Sequence, residues 1–208
     1  GLGDVYKRQG SAQDIYRKIF QSTSKKHRAK QCLVTLGQLS APKERTPPKE
    51  DIDYLVSLYN QDSLKNTFEF AKELTSDYPN AFFAWNILGA TCHRLGHIEE
   101  ADSAFRKVIS LNPSYPDGHN NLGTLLTQQG KLDEAISSYK KAISINPEHA
   151  DLFNNLGIAL HQQSKLEEAI DAYEKAIQIK PDYADAFNNL GNALSANNDI
   201  NRAIDSFY

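Results

Sequence analysis

Phe153-Asn154-Asn155-Leu156-Gly157 has close copies along the chain at a constant distance. The copies are Trp85-Asn86-Ile87-Leu88-Gly89, His119-Asn120-Asn121-Leu122-Gly123 and Phe187-Asn188-Asn189-Leu190-Gly191, so that each glycine lies 34 residues after the previous one. Three further sets of residues keep this spacing, and we call each set of equivalent residues a column: Pro79, Pro113, Pro147, Pro181; Ala101, Ala135, Ala169, Ala203; and Phe105, Tyr139, Tyr173, Phe207. Columns of different residue types that share one period indicate a structural repeat.

Each repeat is predicted to form two helices, and residues 116–149 show the pattern most clearly. The first helix is expected at about 116–129, because its apolar or small residues follow the i, i+3, i+4, i+7 spacing of an amphipathic helix. Gly130 is expected to end it in a left-handed conformation. The second helix is expected at about 132–145, since acidic residues occupy its first turn and Pro147 follows its end.

Small residues in the repeat are expected where the two helices approach each other. Gly123 and Ala135 are interpreted as the close crossing of the first and second helix, and Tyr139 as the residue that fills the gap toward the next repeat. Cys92 lies on the same apolar stripe of its helix, so a packing role is favoured over a role as a nucleophile.

These columns resemble the signature of the tetratricopeptide repeat (TPR) family. One repeat matches it at Trp85, Leu88, Gly89, Ala101, Phe105 and Pro113, with Cys92 where an aromatic residue is usual. The other repeats match it at Leu122, Gly123, Ala135, Tyr139, Pro147, Leu156, Gly157, Ala169, Tyr173, Pro181, Leu190, Gly191, Ala203 and Phe207. The resemblance implies an all-α fold, a right-handed α-solenoid of stacked helix-turn-helix units whose first helices line a concave groove.

The chain is predicted to consist of repeats preceded by less regular segments. Complete units are expected at 82–115, 116–149 and 150–183, a truncated unit at 184–208, and a divergent unit at 50–81 with helices at about 52–58 and 63–76. Residues 40–49 are interpreted as a proline-rich linker and residues 10–39 as partial, degenerate TPR-like helices. Residues 1–9 resemble a translated adapter from DNA library preparation and are left out of the fold prediction.

Two rows of asparagines are the candidate binding residues. In TPR proteins positions 2, 5, 6, 9, 12 and 13 of each unit point into the groove, and the resemblance transfers this role residue by residue. It assigns to the groove Asn86, Asn120, Asn154 and Asn188, then Asn121, Asn155 and Asn189, the acidic row Asp117, Asp151 and Asp185, and also Gln128, Gln162 and Arg94. The asparagines are similar to the ladder in O-linked N-acetylglucosamine transferases, which implies binding of a peptide through its backbone. The alternative is that they only solvate a helix face or follow the family consensus.

Charge and composition narrow the possible partners. Residues 51–208 carry twelve Lys and Arg against twenty-two Asp and Glu, which disfavours nucleic acid as a partner, and the basic residues 1–50 are interpreted as a solvated helix and linker. The acidic row and the lack of cationic residues at positions 6 and 9 favour a neutral or basic peptide or protein over a C-terminal carboxylate. No apolar run is long enough for a membrane, and two unpaired cysteines suggest a reducing, cytoplasmic location.

The sequence offers no catalytic, cofactor or metal motif. His97-Ile98-Glu99-Glu100 lacks the second histidine of a zinc helix, so no metal site and no cofactor are expected. The predicted function is therefore a non-enzymatic scaffold for protein–protein interaction. The alternative is the substrate-recruiting N-terminal part of a larger transferase, a sulfotransferase or glycosyltransferase, because some bacterial TPR proteins carry such domains. The last unit stops inside its second helix, which predicts self-association through an uncapped end.

Overall fold

A computed structural model describes the backbone of residues 46–207 and the side chains of residues 46–203. Within these residues the chain forms ten helices and no strand. The helices are α1 (Lys49–Asn60), α2 (Leu64–Asp77), α3 (Phe82–Leu95), α4 (Ile98–Leu111), α5 (Pro116–Gln128), α6 (Leu132–Ile145), α7 (Ala150–Gln162), α8 (Leu166–Ile179), α9 (Ala184–Ala196) and α10 (Ile200–Phe207). The predictions for residues 1–45 lie outside the described residues, as does the side chain of Phe207.

The predicted all-α solenoid is confirmed. The helices expected at 116–129 and 132–145 are α5, which ends at Gln128, and α6, which has the predicted bounds. In the divergent segment, α1 begins at Lys49, inside the stretch interpreted as linker, directly after Pro48. Proline lacks a backbone N–H but fits the start of a helix, where that donor would have no partner in the helix.

A left-handed turn joins the two helices of every pair. The residue with positive φ is Asp62, Gly96, Gly130, Ser164 or Asn198, and these five positions share the period of the repeat. In each turn the residue that follows donates its backbone N–H to a carbonyl five residues before it, as His97 does to Cys92 at 2.9 Å and Lys131 to Leu126 at 2.9 Å. This is the Schellman arrangement. The prediction for Gly130 is confirmed, and the divergent pair α1–α2 makes the same turn at Asp62.

Aromatic rings of the second helices occupy the space beside the glycine column. A Cβ atom at Gly123 would lie 2.7 Å from the Cε1 atom of Tyr139 in the same helix pair. The ring of Tyr139 thus fills the space over Gly123 within its own repeat, a contact that the expected role toward the next repeat did not include. Ala135 and Tyr139 are both buried, at 0% and 2% exposure.

The two helices of each pair lie on different faces of the stack. The first helices α1, α3, α5, α7 and α9 contact one another in succession, and we call the surface they form the inner face. Among the described helices, the second helices α2, α4, α6, α8 and α10 make no such contacts with each other, and we call the surface they form the outer face. Clefts separate α2 from α4 and α4 from α6 on this face. The predicted groove residues all lie on first helices, so the fold places them on one continuous surface.

In the part of the chain that the structure describes, no helix combines the length and the apolar character needed to cross a bilayer.

Candidate functional site

The two asparagine rows form one hydrogen-bonded ladder on the inner face. Asn121 on α5 donates its side-chain N–H to the side-chain oxygen of Asn86 on α3, at 3.0 Å. The same bond joins Asn155 to Asn120 at 3.1 Å and Asn189 to Asn154 at 3.0 Å. Each bond links the first helices of successive repeats. The sequence predicted the two rows but not that they bond to each other, because the side chains meet only once the helices are stacked.

The ladder keeps hydrogen-bonding capacity for a ligand. A carboxamide has two N–H donors and an oxygen that accepts two bonds. Among the described residues, the NH₂ groups of Asn86 and Asn120 make no further hydrogen bond, and neither do the oxygens of Asn121 and Asn155. These four side chains are half-buried, so their free polar atoms border the surface. The inner face thus offers alternating donors and acceptors, each held in place by its neighbour.

Asn154 and Asn188, the last two asparagines of the first row, differ in exposure. Asn154 is 5% exposed, so it supports its neighbour more than it presents atoms to a ligand. Asn188 is exposed and has no hydrogen bond among the described residues. The part of the ladder that faces a ligand therefore consists mainly of Asn86, Asn120, Asn121, Asn155 and Asn189.

The acidic row lies at the start of the first helices. Asp117, Asp151 and Asp185 are exposed, and each stands in the first turn of its helix, where the helix dipole favours a negative charge. Burial and the nearby Asp117 carboxylate raise the pKa of Tyr115 to about 12. The pKa of Tyr183 is raised as well, by burial and by Asp151. The tyrosines thus stay protonated beside the carboxylates.

Arg94 and Gln128 connect neighbouring repeats. Arg94 pairs with Asp62, in the turn between α1 and α2, and its guanidinium lies 5.7 Å from the centre of the Tyr59 ring. Gln128 on α5 contacts the ring nitrogen of His93 on α3. Both predicted groove residues are therefore already engaged with the preceding repeat. Gln162 is exposed and has no hydrogen bond among the described residues.

The hydroxyl of Tyr139 on α6 contacts two threonines on α5. It donates to the hydroxyl oxygen of Thr124 at 3.2 Å, and Thr127 donates in turn to the Gly123 carbonyl at 2.8 Å. Burial raises the pKa of Tyr139, although its contacts with the two threonines oppose this. Thr124 and Thr127 thus have partners inside their own repeat.

Ring N–H groups on α3 and α5 hydrogen-bond to the turn that precedes each of these two helices. Trp85 donates to the carbonyl of Pro79 at 2.9 Å, and the Nε2–H of His119 donates to the carbonyl of Pro113 at 2.9 Å. The contact was not predicted from the sequence. The signal there is partial: Trp85 and His119 lie one period apart, as do Pro79 and Pro113, but Phe153 and Phe187 in the same column have no ring N–H.

Cys92 lies in the core and not on the inner face. Its side chain is 0% exposed, and burial together with the Glu100 carboxylate raises the pKa of its thiol to about 11. A protonated, buried thiol is a poor nucleophile. The structure agrees with the packing role expected for it.

Family models match the repeats. A model described as "TPR repeat" matches residues 123–164 and 159–198. Two models described as "Tetratricopeptide repeat" match residues 104–137 and 82–115. Together the matches span residues 82–198, which is more than half of the 208-residue chain.

Solved structures share the fold. A MamA protein, residues 41 to the end, from Desulfovibrio magneticus RS-1 is 21% identical, with a TM-score of 0.70 over 76% of this chain and 90% of the other. YrrB, described as a TPR protein with an unusual peptide-binding site, is 20% identical, with a TM-score of 0.64 over 77% and 82%. PilF of Pseudomonas aeruginosa is 18% identical, with a TM-score of 0.68 over 76% and 73%. No curated protein matches the chain in sequence.

Proposed function

This chain belongs to the tetratricopeptide repeat family, and on that premise we propose that it is a non-enzymatic scaffold that binds an extended peptide segment of a partner protein along its inner face. The observation that carries the proposal is the asparagine ladder. Its donors and acceptors are held by inter-repeat hydrogen bonds before any ligand arrives. A site that is ordered in advance loses less conformational entropy on binding.

The chemistry of the ladder favours the peptide backbone as the ligand. An extended peptide presents alternating N–H and C=O groups, and the free atoms of Asn86 and Asn121 are a donor and an acceptor side by side. Each hydrogen bond of this kind contributes about 0.5–1.5 kcal/mol net. Because the bonds are to the backbone, the affinity should depend weakly on the side chains of the partner.

The charge of the inner face determines which charge the partner segment carries. Asp117, Asp151 and Asp185 are exposed at equivalent positions, whereas the one cation among the predicted groove residues, Arg94, is paired with Asp62. The result is a surface that repels carboxylates and attracts neutral or basic segments. YrrB, which shares the fold, is described as having a peptide-binding site, and this supports the same class of ligand here. The transferase alternative gains no support, because the family matches fall on the repeats alone.

The test must remove the side-chain N–H donors that face the ligand and keep the hydrogen bonds between repeats. Alanine at Asn121, Asn155 or Asn189 would delete the inter-repeat bonds themselves. Aspartate at Asn86 and Asn120 keeps the accepting oxygen and removes only the NH₂ groups that face the ligand. The matched control is Asn66→Asp/Asn201→Asp, which makes the same charge change at exposed positions on second helices.

Binding is measured with an array of synthetic peptides of random sequence and varied net charge, probed with the full chain. We expect selection of neutral and basic peptides, loss of the neutral peptides in Asn86→Asp/Asn120→Asp, whose added negative charge itself attracts basic ones, and retention of the neutral peptides in the control. N-methylation of the peptide backbone should also abolish binding of the selected peptides. Equal binding by both double variants, or selection of acidic peptides, would place the ligand elsewhere and refute the proposal.

A further inference from the structure

Three side chains of different types converge at the corner between α3 and α4. The Sγ atom of Cys92 lies 3.9 Å from Oε2 of Glu100, and Nδ1 of His97 lies 3.1 Å from the same oxygen. The three donor atoms all lie within 4.8 Å of one another. They come from the last turn of α3, the connecting turn and the first turn of α4, so the helix-turn-helix geometry itself holds them together.

From this arrangement we propose that Cys92, His97 and Glu100 form a binding site for a thiophilic divalent cation of the Zn²⁺ type. Thiolate, imidazole and carboxylate are the three kinds of ligand that zinc takes in proteins. Metal–ligand bonds of about 2.0–2.3 Å in a tetrahedron put ligand atoms about 3.3–3.8 Å apart, close to the distances that the chain already provides. On binding, Cys92 releases its proton and His97 coordinates through Nδ1 with the proton on Nε2.

The surroundings suit a cation with one open coordination position. Cys92 and Glu100 line a cleft of about 450 Å³ between α2 and α4 on the outer face. The charged residues of this cleft are Glu99, Glu100 and Lys72, which leaves an excess of one negative charge before the thiol is ionised. A water molecule from the cleft can therefore complete the tetrahedron. The ring of Phe68 meets that of His97 edge-on, with the centres 5.5 Å apart, and restricts the orientation of the imidazole.

The site is specific to one repeat. The positions that correspond to Cys92, His97 and Glu100 in the next repeat are Leu126, Lys131 and Glu134, which leave a single ligand. The sequence predicts no metal site, because the His97–Glu100 segment lacks a second histidine. Its pattern assigns Cys92 to packing alone, since the thiol joins the other two groups only when α4 folds back on α3.

Cobalt(II) is the probe, because a sulfur–cobalt bond gives a charge-transfer band that histidine and carboxylate ligands do not. The full chain is used in a Cys32→Ser background, stripped with a chelator and titrated with Co²⁺. We expect this band, with the visible bands of a tetrahedral site, to saturate at one cobalt per chain and to disappear when Zn²⁺ is added.

Variants at the two exposed ligands carry the test, since replacing the buried Cys92 could disturb the fold. The side chains of His97 and Glu100 are 48% and 54% exposed. His97→Ala and Glu100→Gln should each weaken Co²⁺ binding by about tenfold or more while melting like the parent without metal. Glu134→Gln, at the position that corresponds to Glu100 in the next repeat, and His161→Ala, at an unrelated position, should leave the titration unchanged. Absence of the sulfur–cobalt band, or a band of equal affinity in His97→Ala and Glu100→Gln, would overturn the proposal.

Discussion

The ring of Tyr173 lies so close to Gly157 that a Cβ atom at the glycine would be 2.5 Å from the ring Cε1 atom. Phe105 and Gly89 show the same relationship in another repeat, at 2.6 Å. The glycine and aromatic columns of the repeat are therefore two halves of one contact. A ring on the second helix fills the space that the missing side chain leaves on the first.

The Gly123–Tyr139 contact predicts a reversal of sign in a double-mutant cycle. Gly123→Ala should destabilise the protein by about 1–3 kcal/mol, because the new methyl group meets a buried ring. In a Tyr139→Ala background the same substitution should stabilise, since alanine is the better helix former by about 1 kcal/mol. The measurement is the free energy of unfolding in urea for the four proteins. A cost that persists in the Tyr139→Ala background would mean that helix backbones, not the ring, exclude a side chain here.

The left-handed turns predict opposite effects of exchanging serine and glycine. Ser164 has a φ of 61° at the position where Gly130 has 72°. Ser164→Gly should raise the free energy of unfolding and Gly130→Ser should lower it, each by about 1 kcal/mol, because only glycine adopts this conformation without strain. Thermal melts of both variants test this. If the two substitutions shift the melting temperature in the same direction, φ does not govern the turn.

The asparagine ladder predicts a measurable coupling between repeats. Asn121→Ala, Asn155→Ala and Asn189→Ala each remove one inter-repeat hydrogen bond and should each destabilise by about 0.5–1.5 kcal/mol. Asn66→Ala, which removes only a bond to Ser63 on the exposed side of α2, is the control and should cost less. A double-mutant cycle between Asn86 and Asn121 measures the coupling directly. Additive effects of the two substitutions would contradict the bond.

The raised pKa of Tyr115 predicts that the protein loses stability at high pH. This pKa is raised from 10.0 to about 12 in the folded chain, chiefly by burial. The stability that the protonated hydroxyl contributes to the folded state is therefore complete below pH 10 and is lost as the pH rises through 12. The stability of Tyr115→Phe should therefore fall less over this range than that of the parent. Unfolding in urea at several alkaline pH values gives both slopes, and the other titrating groups are common to the two proteins. Equal slopes would show that the hydroxyl does not lose solvation on folding.

The repeat, its two helices and the turn between them could be predicted from the sequence. These follow from local rules: apolar spacing, acidic first turns and proline after the second helix act within a few residues of each other. The period of 34 then places equivalent residues on equivalent surfaces, which is why the asparagine and aspartate rows could be found without a structure.

Contacts between side chains of different helices could be found only in the folded chain. The bond from Asn121 to Asn86, the ring of Tyr139 over Gly123 and the approach of Cys92 to His97 and Glu100 depend on how one helix lies against another. Periodicity fixes the face of a helix on which a residue lies but not the partner that the face meets. The partner is set by the packing of the whole stack of helices. There, differences of a few tenths of an ångström in the distance between two atoms decide whether they form a hydrogen bond, clash, or can bind the same metal ion.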